Sequence, residues 1–454
     1  MKISIAQVAV ASALHIGISH GAPSQSNDAS LALNTPGDIK SAAKIIANST
    51  MAHYDGDKPG KTPGIVDGSS SADPAYSTLF WPAILNYWHY TGDTTYNDAL
   101  MKSILTRRGP NNDFWPPNFT LNFANTQVAS WAHVAMAAAE YKFPDPPRDQ
   151  PQWIQLANNV FNNLTGLWGS SDECGGGLRM SQDQRLEDYH WKISDTNGRL
   201  FNLAARLGRY TGNQTYVDWA EKVWTWMDKV KFITADGDVV SGANIKRSPD
   251  CSKPSSSTYS GDNAVLAAGA AVMYNLTNGD TKWKTRLSTV LDAGITKFFP
   301  SETGVLTEMC QSDKSCNLPQ YWGKTISIPF YAATVKMAPF TGDKLMPLIK
   351  KSAEDIAGRC FDNKGYCPPW VTGPHRVGSF ATENDVAGLG AVSALLVDDA
   401  PAPVTKKEGG TSNLGGGNGK SKSDGGKDSG ASTRNVSKWA VLLVAASAGL
   451  GYFL

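Results

Sequence analysis

The sequence predicts an all-α protein in which helical hairpins close into an (α/α)6 toroid, a double ring of helices within one domain. Three observations predict this fold: apolar residues follow helical spacing through most of the chain, strictly alternating stretches are scarce, and one short phrase recurs between helices. The 454 residues suffice for one large domain or two ordinary ones. Because no Pro-, Gly- and Ser-rich linker divides residues 30–397, we expect a single domain there.

The helical spacing is clearest in three stretches of this domain. Apolar residues recur roughly every three or four positions, which places them on one face of a helix. These residues are Ile39, Ala43, Ile46 and Met51, then Phe201, Ala204, Ala205, Leu207 and Tyr210, and then Trp219, Val223, Trp226 and Met227. Helix is therefore the dominant predicted element.

A repeated phrase predicts where one helix ends and the next begins. It occurs at Tyr90–Tyr96, Tyr210–Tyr216, Leu276–Trp283 and, in part, Phe340–Asp343, and Pro144–Pro147 falls where a further copy is expected. Glycine in the phrase suits a left-handed helix C-cap, and the following Asp, Asn or Thr suits the next N-cap. The copies are about 60 to 65 residues apart, or twice that, which is the length of one helical hairpin.

About six such hairpins fit in the domain. An open solenoid is the alternative to a closed ring, but the chain lacks the short regular period typical of those arrays. A closed toroid offers a groove at one end of its inner ring, where a ligand would be expected to bind.

The N-terminus reads as a secretory signal peptide covering residues 1–21. Lys2 provides a positive start, Ile3–Ile18 is largely apolar, and Ser19 and Gly21 are small residues suited to a cleavage site. A buried N-terminal helix is the alternative.

The C-terminus predicts a glycosylphosphatidylinositol (GPI) anchor. Residues 398–430 are rich in Gly, Ser and Lys, and such a segment is expected to be a flexible stalk. Residues 431–454 would be the attachment signal that is removed, because small residues and a polar spacer precede the apolar Trp439–Leu454. Attachment is expected at Ser429 or Gly430, with Gly425–Gly426 as a second region. The mature protein would then lie on the outer face of the plasma membrane or in the cell wall.

Cysteines and glycosylation sequons agree with secretion. Six cysteines is an even number, as expected of a disulfide-forming compartment. Short loops favour Cys310–Cys316 and Cys360–Cys367, which leaves Cys174 with Cys251, although sequence alone cannot fix the pairing. The sequons are at Asn48, Asn118, Asn163, Asn213 and Asn275.

Several classes of function are disfavoured. A net charge of +1 provides no field for nucleic acid or an anionic membrane. The histidines lack metal-ligand spacing, so no metal or other cofactor is expected. Gly175–Gly177 lacks the context of a phosphate loop, and there is no G-x-S-x-G nucleophile elbow.

Aromatic residues favour a carbohydrate ligand. The chain has 14 Trp and 15 Tyr, and flat rings stack on sugar faces while carboxylates carry out glycoside chemistry. The alternative is that most of these rings pack between helix layers.

Five phrases resemble glycoside hydrolase family 76. They are Gly109–Asp113, Cys174–Arg179, Asn197–Leu207, Tyr210–Glu221 and Ala338–Thr341. The likeness covers about Asn34 to Leu396 and is greatest to the fungal GPI-anchored mannan endo-1,6-α-mannosidases of cell-wall biogenesis. It implies an (α/α)6 barrel whose groove takes α-1,6-linked mannose chains, either mannan or the mannose core of a GPI glycan. It also implies cleavage of mannan, or transfer of mannose-bearing GPI proteins onto wall glucan.

The chain departs from the family where the chemistry is expected. The family has two consecutive aspartates that serve as nucleophile and general acid/base, and an ungapped alignment on Trp131 places Thr126 and Gln127 at their positions. Neither side chain ionises. Asn125 is expected to be the N-cap of the following helix.

Other groove positions differ from the family as well. Pro74–Tyr76 stands where the family tends to have Trp-Trp-Glu, Met180 replaces an aromatic residue, and Pro329 replaces an arginine. The resemblance implies substrate-binding roles for Tyr76, Trp131, Arg179, Lys192, Asn197 and Lys324.

Two hypotheses about function follow. An active mannosidase or transglycosylase would need replacement carboxylates. Asp113 and Glu308 are the first candidates, because Asp113 lies in a matched phrase and Glu308 is a position where the family residue is retained. The other nearby acids are Asp172, Glu173, Asp188, Asp195 and Asp262. The alternative is a non-catalytic relative that binds glycan or a protein in the groove, or a structural protein whose groove is filled by side chains.

Overall fold

The computed structural model describes residues 31–66, 76–116, 124–169, 173–312, 315–316, 318–360 and 381–408. The predicted signal peptide, the C-terminal tail and most of the predicted stalk lie outside these ranges. So do Pro74, Ala75, Asn118, Asp172, Cys367, Ser429 and Gly430.

Six helices form an inner ring. They are α2 (Ser77–Thr91), α4 (Asn125–Glu140), α6 (Ser194–Thr211), α8 (Ser260–Leu276), α10 (Leu318–Met337) and α12 (Ala381–Ala394). Each packs on the next in this order, and α12 packs back on α2, so the ring is closed. Closure excludes the open solenoid.

Six further helices form the outer layer. They are α1 (Pro36–Ala52), α3 (Asn97–Arg107), α5 (Trp153–Gly166), α7 (Gln214–Lys229), α9 (Thr281–Phe298) and α11 (Gly342–Ala357). Each packs against the inner helix that precedes or follows it in the chain, and α1 also contacts α12. The predicted all-α (α/α)6 toroid is therefore confirmed.

The repeated phrases are the joints between inner and outer helices, as predicted. Gly92 (φ 78°) and Gly212 (φ 71°) end α2 and α6 in the left-handed conformation. Asn213 caps α7 by accepting a hydrogen bond from Thr215 N, and Asp280 caps α9 by accepting from Trp283 N. Gly342 differs: with φ −60° it is helical and begins α11, after a 3-10 turn at Pro339–Thr341.

These short joints all lie at one end of the toroid, so the N-termini of the six inner helices meet at the other end. The connections that reach that end are longer. One contains a two-stranded antiparallel sheet of β1 (Trp191–Ile193) and β2 (Gly242–Asn244), with Lys192 opposite Ala243. Gly242 has φ +139°, and a Cβ there would lie 2.2 Å from Lys192 O, so only glycine fits. Because β1 runs directly into α6, this sheet fixes where α6 starts.

The remaining short elements are 3-10 turns at Glu187–His190, Met309–Gln311 and Lys406–Glu408. The last of these lies in the predicted stalk. Val404 N donates to Glu140 O (2.8 Å), and Arg209 Nη2 donates to Pro403 O (2.7 Å). These bonds extend the domain to Glu408, beyond the boundary expected at residue 397.

Large aromatic side chains fill the space between the two helix layers. Trp81, Trp131, Trp153 and Trp283 are among the largest fully buried side chains of the described residues. Small residues on α4 and α8, mostly alanine, allow the inner helices to approach closely. Most of the tryptophans thus have the packing role that the sequence left as the alternative.

Two of the expected disulfides are present, Cys174–Cys251 and Cys310–Cys316. Cys360 is also disulfide-bonded, and its expected partner Cys367 lies outside the described residues. Across the ranges given above, no helix is long and apolar enough to cross a bilayer.

The sequons differ in accessibility. Asn48, Asn213 and Asn275 are exposed. Asn163 is half-buried, and its amide bonds both Asp113 and Trp115. A glycan there would have to extend from an amide already engaged in the fold.

Candidate functional site

A solvent-open cleft lies where the inner helices begin. Its lining includes Thr126 and Gln127 from α4, Asp195 from α6, Asp262 from α8 and Trp322 from α10. At its rim are Met180, Asp188, Trp191 and Tyr259. The cleft is open rather than filled by side chains, which is contrary to the purely structural alternative.

Thr126 and Gln127 hold the positions that the resemblance assigns to the aspartate pair, and both face the cleft. The hydroxyls of Thr126 and Thr196 are 2.6 Å apart, and Gln127 Oε1 accepts from Ala124 N at 2.7 Å. Both side chains are neutral and already bonded to protein.

The start of α4 differs from the expectation by one residue. Ala124 is the N-cap, and Asn125 is the first helical residue. The Asn125 side chain instead donates to Arg179 O (2.7 Å), which fastens α4 to the loop before β1.

Asp195 is the acid of the cleft that has a cationic partner. Its Oδ1 accepts from Arg199 Nε at 2.8 Å, one turn along α6. The Asp195 side chain is 22% exposed and the Arg199 side chain 6%.

Asp262 is the buried acid of the cleft. Only 6% of the residue is exposed, and its carboxyl group makes neither a hydrogen bond nor an ion pair with any residue inside the described ranges. Burial raises its pKa well above the usual value, and the negative charges of Asp195 and Glu308 raise it further, while Arg199 acts in the opposite direction. These surroundings therefore favour the protonated form of Asp262.

Glu308 lies behind the cleft, where it supports the start of α8. Its carboxylate accepts hydrogen bonds from Ser260 N (3.2 Å) and from the Ser260 hydroxyl. Burial raises the pKa of Glu308 to about 7, against the opposing effects of Ser260 and Lys324. Glu308 can act on Asp262 through its charge, but it does not line the cleft.

Asp113, the other expected substitute, faces away from the cleft. Its carboxylate accepts from Asn163 Nδ2 (3.0 Å) and from Trp115 N (3.3 Å). These bonds fasten the connection after α3 to α5. Membership of a matched phrase did not reveal that this buried side chain is directed at the outer helix α5.

Lys192 and Asn197 hold the Gly175–Gly177 turn rather than the cleft. Lys192 Nζ donates to Glu173 O (2.9 Å) and Gly176 O (2.6 Å). Asn197 pairs with the backbone of Leu178, accepting at 2.8 Å and donating at 3.1 Å. We refer to Lys192, Asn197 and these backbone partners as the turn network.

The other four expected substrate-binding residues also lie in the scaffold. Tyr76 is 1% exposed, and its pKa is raised by burial and then by Glu383 and Asp385. The Trp131 ring stacks on Phe114 with centroids 5.6 Å apart. Arg179 pairs with Glu173 and lies 4.0 Å over the Tyr189 ring, and Lys324 donates to Gln311. None of the four lines the cleft.

Thr126, Gln127 and Met180, which the sequence assigned to the groove, all line the cleft, and so does Asp188. Sequence reasoning gave low weight to Asp195 and Asp262, and it missed Trp191, Tyr259 and Trp322. A positional signal was available, because Thr126 and Asp195 are the second residues of their helices and Gln127 and Asp262 the third. The first turns of inner helices are what the cleft brings together.

Asp188 and Glu173 complete the set of nearby acids. Asp188 is half-buried at the rim, and burial followed by the charge of Glu187 raises its pKa. Glu173 is held by Arg179. No group of three or more His, Cys, Asp and Glu side chains suited to a metal ion occurs among the residues that the structure describes.

Below the cleft, the barrel interior continues as a mainly apolar cavity of about 120 Å³. Pro329 and Phe330 line it, and Arg206 and Glu140 form a 2.6 Å ion pair in its wall. Pro329, expected as a changed groove position, thus lies in the lumen rather than at the mouth.

An α-helical double ring with a cleft containing acidic and aromatic side chains is the architecture of a carbohydrate-active barrel protein. The family model for glycosyl hydrolase family 76 matches residues 38–407. The chain therefore belongs to glycosyl hydrolase family 76, as the matched phrases suggested.

Two curated relatives come from Saccharomyces cerevisiae. The mannan endo-1,6-α-mannosidase DCW1 is 34% identical over 393 residues, covering 85% of each chain. The mannan endo-1,6-α-mannosidase DFG5 is 32% identical over 385 residues, covering 82% of this chain and 81% of the relative. The protein is thus a relative of the fungal mannan endo-1,6-α-mannosidases.

Two solved structures have a similar fold. Dfg5 from Chaetomium thermophilum, in complex with glucosamine, has a TM-score of 0.75 and 30% identity, covering 85% of this chain and 98% of that one. An inactive α-1,6-mannanase variant from a Salegentibacter species, in complex with α-1,6-mannotriose, has a TM-score of 0.62 and 13% identity, covering 79% and 99%. The second likeness concerns the fold alone.

Proposed function

We propose that this protein binds α-1,6-linked mannose chains in the cleft, either mannan or the mannose core of a GPI glycan, and acts on them in cell-wall biogenesis. The observation that carries the proposal is the open cleft with Trp191, Trp322 and Tyr259 beside Asp195 and Asp262. Aromatic rings can stack on sugar faces, and carboxylates can accept hydrogen bonds from sugar hydroxyls. The relatives named for α-1,6-mannan point to the same ligand.

Binding is tested by titrating the purified protein with α-1,6-mannotetraose in a calorimeter, with α-1,2-linked mannobiose for comparison. Trp322→Ala is expected to weaken the α-1,6 ligand about 10-fold, in line with the loss of one stacking contact. Phe340→Ala is the matched control, because Phe340 is exposed at the opposite end of the ring. No binding of the α-1,6 ligand by the unaltered protein would overturn the proposal.

We place this activity at the outer cell surface. The apolar start, the Gly- and Ser-rich segment and the apolar end of the chain support secretion followed by GPI attachment. Phosphatidylinositol-specific phospholipase C should release the protein from intact cells. Retention after that treatment would exclude the anchor without affecting the proposed ligand.

A non-catalytic mannan-binding protein is the second candidate, favoured by the neutral side chains of Thr126 and Gln127. Loss of general acid/base groups alone lowers glycosidase rates about 10²–10⁴-fold. Labelled α-1,6-mannooligosaccharides distinguish the candidates when the unaltered protein is compared with a Thr126→Asp, Gln127→Asp variant. Shortened or elongated products from the unaltered protein exclude the non-catalytic role. Products from the variant alone support it.

A further inference from the structure

We propose that Asp262 and Asp195 are a catalytic carboxylate pair in this cleft, with Asp262 as the acid and Asp195 as the nucleophile. The inference rests on the proposed function, because it concerns a mannoside bound in the same cleft. It gives this chain two ionisable side chains near Thr126 and Gln127, which supply none.

The placement of the two acids is the first observation. Asp195 is the second residue of α6 and Asp262 the third residue of α8, and these neighbouring helices pack directly on each other. Thr126 and Gln127 occupy the equivalent second and third positions of α4. All four line one cleft, so the acids lie one and two inner helices further around the ring.

The second observation is that Asp262 lacks a protein partner. It is more than nine-tenths buried and lines the cleft, yet no side chain or backbone group of the described ranges bonds its carboxyl oxygens. A bound molecule with an oxygen acceptor, such as a glycosidic oxygen, would provide the missing partner.

The two acids have different surroundings. Asp195 accepts a 2.8 Å hydrogen bond from Arg199 Nε, whereas burial and the charges of Asp195 and Glu308 favour the protonated form of Asp262. Retaining glycosidases use two carboxyl groups with different surroundings as acid and nucleophile.

The reaction balances with water as the only co-substrate. Asp262 gives its proton to the glycosidic oxygen as the C1–O bond breaks, and an Asp195 oxygen bonds C1. Asp262, now a carboxylate, takes a proton from water as that water attacks C1 and the C1–Asp195 bond breaks. The products are two shorter sugars, and both acids return to their first states. A sugar hydroxyl in place of water would give transfer instead of hydrolysis.

Other acids nearby fit these roles less well. Glu308 is fully engaged with Ser260 and does not line the cleft. Asp188 lines the rim on a 3-10 turn without a cationic partner in the described ranges. Asp228 is exposed on the outer helix α7, away from the cleft, so Asp228→Asn is a suitable control substitution.

The experiment measures cleavage of α-1,6-mannotetraose and of an aryl α-mannoside with a good leaving group, alongside binding of the tetraose. Asp262→Asn should lower tetraose turnover about 10²-fold or more, with affinity changed less than about threefold. The aryl substrate needs little help from an acid, so it should lose much less. A merely structural role would lower both substrates equally.

Asp195→Ala should abolish turnover of both substrates, and added azide should restore reaction of the aryl substrate and give a mannosyl azide. Asp228→Asn, on the outer layer, should keep the activity of the unaltered protein. Equal loss of both substrates in Asp262→Asn, or no azide product with Asp195→Ala, would overturn the pair.

Two outcomes separate this inference from the proposed function. Tetraose binding without turnover by the unaltered protein overturns the carboxylate pair and leaves the binding proposal standing. Absence of tetraose binding overturns both. Normal binding by each variant shows that it is folded.

Discussion

Two groups of buried polar side chains lie on either side of the start of α6, and they differ in how their hydrogen bonds are satisfied. In the turn network, the side chains of Lys192 and Asn197 form hydrogen bonds with backbone groups. In the acid pair, Asp195 bonds Arg199, and Asp262 has no hydrogen-bond partner within the described part of the chain.

The difference shows how one segment serves two purposes. Polar groups that are satisfied within the protein fix the shape of the loop, because breaking them would leave buried donors or acceptors unpaired. A polar group that faces a cleft without a partner remains available to a ligand. The turn network is thus predicted to matter for stability, and the acid pair for chemistry.

Among changes near the turn network, removal of the Cys174–Cys251 disulfide is expected to lower the free energy of unfolding most. Cys174–Cys251 closes a separation of 77 residues and Cys310–Cys316 one of 6. The loop-entropy relation gives about 4 kcal/mol for the first and about 2 kcal/mol for the second. We expect the Cys174→Ala, Cys251→Ala variant to lose about twice as much free energy of unfolding as the Cys310→Ala, Cys316→Ala variant, measured by urea denaturation. Equal losses of free energy of unfolding would contradict the prediction that Cys174–Cys251, which closes the longer loop, contributes more to stability.

Lys192→Met should have the next largest effect. It removes the donor to Glu173 O and Gly176 O and leaves two buried carbonyls short of a partner, at about 2–3 kcal/mol. The measurement is the free energy of unfolding, with Lys229→Met, an exposed lysine at the end of α7, as control. Tetraose affinity in the folded variant should change little. A large loss of affinity without loss of stability would return Lys192 to the substrate-binding role that the resemblance implied.

Asp262→Asn should have the smallest effect on stability and the opposite sign. The folded-state pKa of Asp262 is raised above its unfolded value, so the folded state binds the proton more tightly. Its contribution to stability is fully present below the unfolded pKa and is lost as pH rises through the folded pKa. The neutral asparagine avoids that loss.

We therefore expect Asp262→Asn to be about 1 kcal/mol more stable than the unaltered protein at pH 8, and nearly equal to it at pH 4. Thermal unfolding at the two pH values measures the change, with Asp228→Asn at an exposed position of α7 as the control. If the variant is less stable than the unaltered protein at pH 8, the charge of Asp262 is compensated within the folded protein. The acid pair would then resemble the turn network in having its polar groups satisfied by the protein.

Much of the fold could be predicted because its signals are local. The glycines at 92 and 212 end helices by their own backbone preference, and Asn213 begins the next helix with its own side chain. The Cys174–Cys251 disulfide was predicted because the two shorter loops favoured pairing of the other four cysteines with each other. The family resemblance located the first turn of α4 in the cleft.

The site was predicted less well because sequence phrases do not show which way a side chain points. Lys192, Asn197 and Trp131 lie in or beside recognisable phrases, and all three turn into the scaffold. Asp195 and Asp262 are 67 positions apart in the chain, as their numbering shows, and only the packing of α6 on α8 brings them into one cleft. Their pairing depends on the contact between two helices that are far apart in the sequence, which no local sequence pattern shows.

The sequence by itself determined the helical class, the hairpin joints, the family and the two neutral positions at the start of α4, because helix capping and phrase similarity act over a few residues. Only the tertiary structure decided which polar residues line the cleft and which stabilise the loops around it. Closure of the ring sets the burial and the charged neighbours of each side chain in the first turn of an inner helix. These surroundings determine whether the side chain forms its hydrogen bonds within the protein or remains available to a ligand.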